Sequence, residues 1–456
     1  MIDDTKAPRL SRGRFLATSA LAAGSVAGAG ALLSTGHPSR AEAARDRATS
    51  TVTVMYTSGE FTPALQQLFR QRNPDLTLQF IEYNTIRLSA MLAAGQPPDF
   101  LRANGATEVA SYAARGLLAD LTPRFQRSAR LSPGNLLPIN DLFRWNGSAQ
   151  GQGPRYGAVK DWSPDLGIWY NKKLFAQAGV QVPSETQPLS YDELLALAKK
   201  LTVRQGGKTQ VYGLDTAFEF GFTYGQIVQM MAQQGKSLFN HDYTASDFTS
   251  PEARKVLKWY VDWAQARVGP SPLDPGDNAF TLFLADRLAM VQFGYWFGGV
   301  IGADTHGLST RTGLAPAPVF GATRISGCTN GTGGVIPSGA RNKDAGFRAM
   351  EFLLGNDVPA QQRVKTAFGL PALKPLLPEL PRDTPFHQES YRVVQDELKY
   401  FKVLRFAPYI SNDAMSKAIA QYLTPVMKGQ TSLESGAQQL ETAVNKLLRL
   451  GKEQAG

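Results

Sequence analysis

One cysteine, Cys328, is all the 456-residue chain contains, so no internal disulfide can form and stability must come from core burial. A lone thiol of this kind is read as buried filler. Histidine is almost as scarce: of four, only His241, His306 and His387 lie beyond the N-terminal segment. None sits in H-E-x-x-H and no two are spaced four apart, which argues against a metal centre, and no cofactor is expected. There is no G-x-S-x-G elbow for a serine nucleophile. Phosphate loops are missing too. Gly151, Gly153 and Gly157 do not fit G-x-G-x-x-G, and "GGKT" (206–209) and "QGKS" (234–237) have Thr202 and Met230 where a P-loop needs glycine. The net charge of +10 is spread out, with no basic block of five or more residues, which excludes the footprint of a nucleic-acid binder. No apolar run after residue 44 is long enough to span a bilayer.

What is present begins with a targeting segment. Lys6, Arg9, Arg12 and Arg14 precede an uncharged stretch from Phe15 to Gly36, and small residues follow at Ala41-Glu42-Ala43-Ala44. Residues 1–44 are therefore expected to be an export signal, removed rather than kept as an anchor, leaving 43 basic against 35 acidic residues. "SRGRFLA" resembles a twin-arginine motif, but Gly13 separates the arginines, so that route and general secretion both stay open. A periplasmic location is expected.

Beyond it, β-branched "TVTVMYTSGE" reads as a strand ending in a turn at Ser58-Gly59. A helix to about Arg72, a strand at 76–83, a helix to Gly95 and the short strand "DFLRA" follow. Late strands are expected at 311–319 and 333–338. This alternation predicts an α/β fold with parallel sheets and helices on both faces, with ligands at the turns beyond the strands' carboxyl ends. Ser190 and Glu193 form a capping box, and the last helix should close at Gly451. "GSAQGQGPRYG" (147–157) reads as a glycine-rich connector.

Immediately after that connector, "YGAVKDWSPDLGIWYNKKLF" (156–175) mixes five aromatics with Asp161, Ser163, Asp165 and Asn171. Seven stretches in order then resemble one family. They are "GLLADLTP", "DLGIWYNKKLFAQAGVQVP", "SYDELLALAKKLT", "DRLAMVQFGYWFGG", "GGVIPSGARNKDAGFRAMEFLL", "GLPALKP" and "SLESGAQQLETAVNKLL". Their pattern is similar to extracellular solute-binding proteins of family 1, the sugar-binding components of ATP-driven (ABC) importers.

The resemblance implies a two-lobed periplasmic-binding-protein-like fold with the ligand in the interlobe cleft. Lobe 1 would comprise 50–158 and 325–370, lobe 2 159–324 and 371–456, with a crossing near 157–164. It further implies a monomer whose partners are a small carbohydrate and the importer's membrane subunits. Aromatic planes would cover a sugar's C–H face while carboxylates and amides take its hydroxyls. On the strand-end turns and matched motifs the candidates are Ser58, Glu60 and Asn104, then Asp161 and Trp162 at the crossing. Lys160 beside Asp161 reads as a surface partner. From the second lobe come Glu219, Phe220, Tyr295 and Trp296, with Gly333 and Gly334 of "NGTGG" offering backbone amides, and Arg405 of "LRFAPYI". Trp169, Tyr170 and Phe175 are expected to pack in the core. Three alternatives stay open: a binder of a phosphorylated polyol or other polar solute, an exported carbohydrate-active enzyme using paired carboxylates, and a signalling or adhesion module on the same scaffold.

Overall fold

The computed structural model describes residues 50–218 and 222–455. The export signal expected over 1–44, and the candidates Glu219 and Phe220, lie outside the described residues. Among the described residues no helix is long and apolar enough to cross a membrane.

The β-branched opening forms strand β1 (Ser50–Tyr56), whose Val52, Val54, Met55 and Tyr56 are fully buried. Helix α1 (Pro63–Arg72) starts where the Thr62 side chain accepts from the Leu65 amide and proline occupies the first turn. Strands β2 (Leu76–Glu82) and β3 (Phe100–Asn104) pair in parallel with β1, one on each side. The chain reaches β4 (Gly157–Val159), the two-residue β5 (Asp161–Trp162) and β6 (Ile168–Asn171). Helices α2 (Tyr191–Leu201), α3 (Thr223–Gln233) and α4 (Pro251–Gln265) lead to β7 (Met290–Gln292), α5 (Phe297–Gly302) and β8 (Thr312–Ala315). Then come β9 (Ser326–Cys328), β10 (Thr332–Val335), α6 (Lys343–Leu354), α7 (Val358–Val364) and β11 (Leu370–Pro371). The chain ends with β12 (Phe401–Val403), α8 (Asn412–Met427) and α9 (Leu433–Gln454).

Two sheets organise these elements. The larger runs β2-β1-β3-β10-β4 and the smaller β7-β6-β8. Within these two sheets the expectation of parallel pairing holds only for β1, β2 and β3, while β9 and β12 make a separate parallel pair. β10 is antiparallel to both β3 and β4, and every pair in the smaller sheet is antiparallel. The register gives the reason. Thr332, the first residue of β10, lies opposite Asn104, the last of β3, so the returning chain enters at β3's carboxyl end and must run backwards. Between the sheets, β5 pairs antiparallel with β11, Asp161 opposite Pro371 and Trp162 opposite Leu370.

Three local readings change as well. The 147–157 connector contains a strand, Gln150–Arg155, paired with Arg144–Trp145 in a hairpin. At Gly153 (φ 76°) an added Cβ would fall 2.7 Å from the Asn146 Cα, so glycine permits the close approach of the hairpin's two arms. The final helix passes Gly451 and ends at Gln454, because that glycine accommodates the Tyr409 carbonyl against the helix and does not terminate it. The Ser190–Glu193 capping box forms as read, and Trp169, Tyr170 and Phe175 are buried, the Trp169 indole donating to the Gly294 carbonyl at 3.0 Å.

Candidate functional site

Where β1, β3 and β10 meet the β5–β11 pair, the fold leaves a cavity of about 330 Å³. The end of the larger sheet supplies Thr57, Glu60, Arg102, Asn104 and Thr332. Arg102 and Asn104 point the same way because side chains two apart on a strand share a face. After β3 a single π-turn (Gly105–Val109) carries Thr107 into the lining. The β5 crossing contributes Asp161 and Trp162, and Phe368 comes from the turn before β11. The opposite wall has Phe222, Trp296 at the entry to α5, and Asn412 at the start of α8. The loop joining β9 to β10 closes the cavity with Thr329, Asn330 and Gly331.

The carboxylates here are held by a buried ion network. Glu60 accepts from Arg102 Nε at 2.6 Å, Thr57 Oγ1 at 2.6 Å and Lys160 Nζ at 2.7 Å. The same Lys160 ammonium bonds Asp161 Oδ2, and Arg363 Nε lies 3.8 Å from that oxygen. Lys160 is 2% exposed, which corrects its reading as a surface partner. Its ammonium stands 5.1 Å from the Phe368 ring centroid, a cation–π contact. Burial alone would raise the Glu60 pKa, but Lys160 and Arg102 outweigh it and hold the carboxyl well below the usual range. For Asp161 burial wins: Lys160 and Arg363 offset it only in part, and its pKa is raised.

Asp165 is differently employed. Its carboxylate accepts from Ser163 Oγ, the Thr329 and Asn330 amides and Thr329 Oγ1 at 2.7–3.2 Å, which shapes the β9–β10 loop. Its pKa is also raised by burial. Beside it Cys328 is buried and its thiol is pushed up by desolvation, as a filler thiol would be. Among the described residues no cluster of three or more His, Cys, Asp or Glu is arranged to hold a metal ion.

Of the candidates read from sequence, the fold thus gathers Glu60, Asn104, Asp161, Trp162 and Trp296 around one cavity. Others go elsewhere. Ser58 sits on an exposed turn where its amide donates to the Glu82 carboxylate. Tyr295 is 1% exposed in an apolar cluster with Trp169, Phe293 and Phe297, because Trp296 beside it takes the cavity-facing side. Gly333 and Gly334 lie within β10, and an added Cβ would come 2.0 Å from the Ala158 carbonyl oxygen and 2.2 Å from the Phe100 ring. Their lack of side chains serves strand packing, and of the three glycines in that run only Gly331 lines the cavity. Arg405 rests over the Tyr243 ring at 5.1 Å and donates to the His241 carbonyl, at a separate hollow of about 190 Å³.

Sequence reading missed Arg102, Thr107, Lys160, Phe222, Phe368 and Asn412. Arg102 was findable, two residues before Asn104 on one strand face. Thr107 had no signal, yet it lines the cavity and its buried hydroxyl has no hydrogen-bond partner among the described residues.

Comparison with known proteins agrees with this architecture. An ABC substrate-binding protein of Listeria monocytogenes, solved in complex with cycloalternan, superposes with a TM-score of 0.74 at 24% identity, over 87% of this chain and 98% of its own. A solute-binding protein of Thermotoga lettingae bound with α-D-tagatose gives 0.72 at 21% identity, over 88% and 100%. The maltose/maltodextrin-binding domain of Bdellovibrio bacteriovorus bound to maltotriose gives 0.67 at 17% identity, again over 88% and 100%. In sequence, the chain is 24% identical over 247 residues to an uncharacterised ABC transporter extracellular-binding protein of Pyrococcus horikoshii. That stretch is 51% of this chain and spans about half of the relative, 49% of its length. The family model "Bacterial extracellular solute-binding protein" matches residues 57–358, well over half the chain, and the protein belongs to that family.

Proposed function

We propose that this protein captures a neutral sugar or oligosaccharide outside the cytoplasm and delivers it, by closing around it, to the membrane subunits of an ATP-driven importer. One observation carries the reading: four aromatic rings, Trp162, Phe222, Trp296 and Phe368, share a cavity with Glu60 and Asp161. Rings of this kind cover the C–H face of a pyranose, and carboxylates accept its hydroxyls. Asp161 Oδ1 has no hydrogen-bond partner among the described residues and is the open acceptor. The pairing of the cations favours a neutral ligand over a phosphorylated polyol. Arg102, Lys160 and Arg363 already face Glu60 and Asp161, so an added phosphate would compete with two carboxylates for the same cations.

The same network argues against an enzyme. A glycosidase needs one carboxyl free to donate a proton and another free to attack or activate water. Here Glu60 is bound by two cations and Asp165 is consumed by four donors, so Asp161, even with its raised pKa, has no free second carboxylate among the described cavity-lining residues to work with. We assign 50–158 with 325–370 to one lobe and 159–324 with 371–456 to the other, hinged at the β5–β11 pair, with the protein acting as a periplasmic monomer.

A thermal-shift screen with tagatose, maltotriose, mannobiose and glucose 6-phosphate tests this, because a ligand that binds only the folded state raises the melting point. Stabilisation by a neutral saccharide and none by the phosphate is expected. A phosphate-only response, or release of reducing ends from any glycan, would replace the reading.

A further inference from the structure

We infer that Lys160 is a positioning residue of this site: one buried ammonium sets the spacing of both binding carboxylates and fixes the aromatic ring next to them. The inference rests on the proposed saccharide reading. Its basis is convergence on a single atom. Lys160 Nζ bonds Glu60 Oε1 at 2.7 Å and Asp161 Oδ2, and lies 5.1 Å from the Phe368 centroid. Phe368 in turn packs against Trp296, their centroids 6.1 Å apart, so the ammonium adjoins two carboxylates and the first ring of an aromatic pair. The backbone around it is fixed as well: the Lys160 amide donates to the Thr332 carbonyl at 2.7 Å, and Arg363 donates to the Lys160 carbonyl at 3.2 Å. Lysine therefore stands at the junction of β4, β5, β10 and α7, one residue before the crossing strand.

The arrangement explains how two acids can face a sugar while largely buried. Unpaired, each would protonate and cease to be a pure acceptor. With Lys160 between them, Oε1 of Glu60 and Oδ2 of Asp161 point at the ammonium, and Asp161 Oδ1 is left to take a ligand hydroxyl. The charged and titratable groups facing this trio are Tyr56 from β1, Arg102 from β3 and Arg363 from α7. Arg102 serves Glu60, and Arg363 stands 3.8 Å from Asp161. Neither replaces Lys160 at both carboxylates.

The test compares Lys160→Met, Lys160→Gln and Lys160→Arg with the parent protein. Titration calorimetry uses whichever of tagatose, maltotriose and mannobiose the parent binds most tightly, from about pH 5 to about pH 8. Removing the cation raises the pKa of both carboxyls, so the neutral variants should lose affinity as pH falls, beginning at higher pH than the parent. At neutral pH the loss should be about tenfold or more, the scale of a lost charge-assisted contact. Lys160→Arg should restore the parent pH profile even if its bulkier fork lowers affinity. If Lys160→Met does not fold, Lys160→Gln, which keeps a neutral donor one bond shorter, carries the measurement. An unchanged affinity and unchanged pH profile in a folded neutral variant overturns the inference and leaves the saccharide reading standing. Failure of the parent to bind any of the three saccharides removes both together. A uniform loss with no change in pH profile would show a structural role only, and also overturns the inference.

Discussion

The two walls of the cavity are built on opposite principles. On the larger sheet and the crossing strand, Glu60, Arg102, Lys160, Asp161 and Arg363 form a charged network in which each member is anchored by another. Across from them, Phe222 and Trp296 belong to an apolar cluster with Phe280, Phe293 and Phe297, where ring contacts at 5.0–6.0 Å do the holding. The charged wall is directional and intolerant of losing one member, since a remaining buried charge is then unpaired. The aromatic wall is area-driven and degrades in proportion to the ring removed. A cleft binder needs both, one to choose hydroxyl geometry and one to supply affinity.

Breaking the charged wall should give the largest effect. Glu60→Gln leaves Lys160 and Arg102 short of a counter-charge and should destabilise the protein by about 3 kcal/mol in urea unfolding at pH 7. The sign with pH follows from its depressed pKa: the Glu60 contribution is complete above the ordinary glutamate value and fades as pH falls towards its folded value. Asp161 runs the other way. Its raised pKa means that ionisation costs stability, a cost relieved as pH drops through the folded value, so Asp161→Asn and Glu60→Gln should tilt the stability–pH curve in opposite directions. A shared direction would show that the two acids do not differ as described.

The aromatic wall should respond next. Trp296→Ala should weaken saccharide binding about tenfold or more by calorimetry, with circular dichroism unchanged. No change in dissociation constant would remove Trp296 from the site. Smaller still, Thr107→Val removes a buried hydroxyl that has no partner among the described residues, so stability should hold or rise while affinity falls by about 1 kcal/mol. A stability loss with unchanged affinity would make Thr107 purely structural. Arg405→Ala marks the baseline, with affinity expected to stay within about 0.5 kcal/mol because its guanidinium is engaged with Tyr243 and His241. A larger drop would join the 190 Å³ hollow to the site.

Legibility followed range. Strands β1, β2 and β3, helix α1 and the 190–193 cap were readable because hydrophobic period, capping residues and turns act within a few positions. Trp296 and Asp161 were reachable as residues at strand ends, the places an α/β fold exposes. Tyr295 and Trp296 could not be ranked from sequence, since both lie in the turn between β7 and α5, where only packing decides which ring enters the core. The error over Lys160 had the same root. A lysine next to an aspartate looks like a surface pair, and nothing local reports that Glu60, a hundred residues earlier, and Phe368, two hundred later, arrive to enclose it.

By itself the sequence determined the class of molecule: an α/β chain without disulfide, metal motif or nucleotide loop, patterned like a binding protein with aromatics near a crossing. These follow from composition and short-range periodicity, which need no partner from elsewhere in the chain. Tertiary structure alone decided the direction of β10, the burial of Lys160, the burial of the Thr107 hydroxyl and the meeting of Trp162, Trp296 and Phe368 in one cavity. Each of these depends on contacts between distant segments, whose desolvation and pairing energies exist only once the two sheets have closed on the same space.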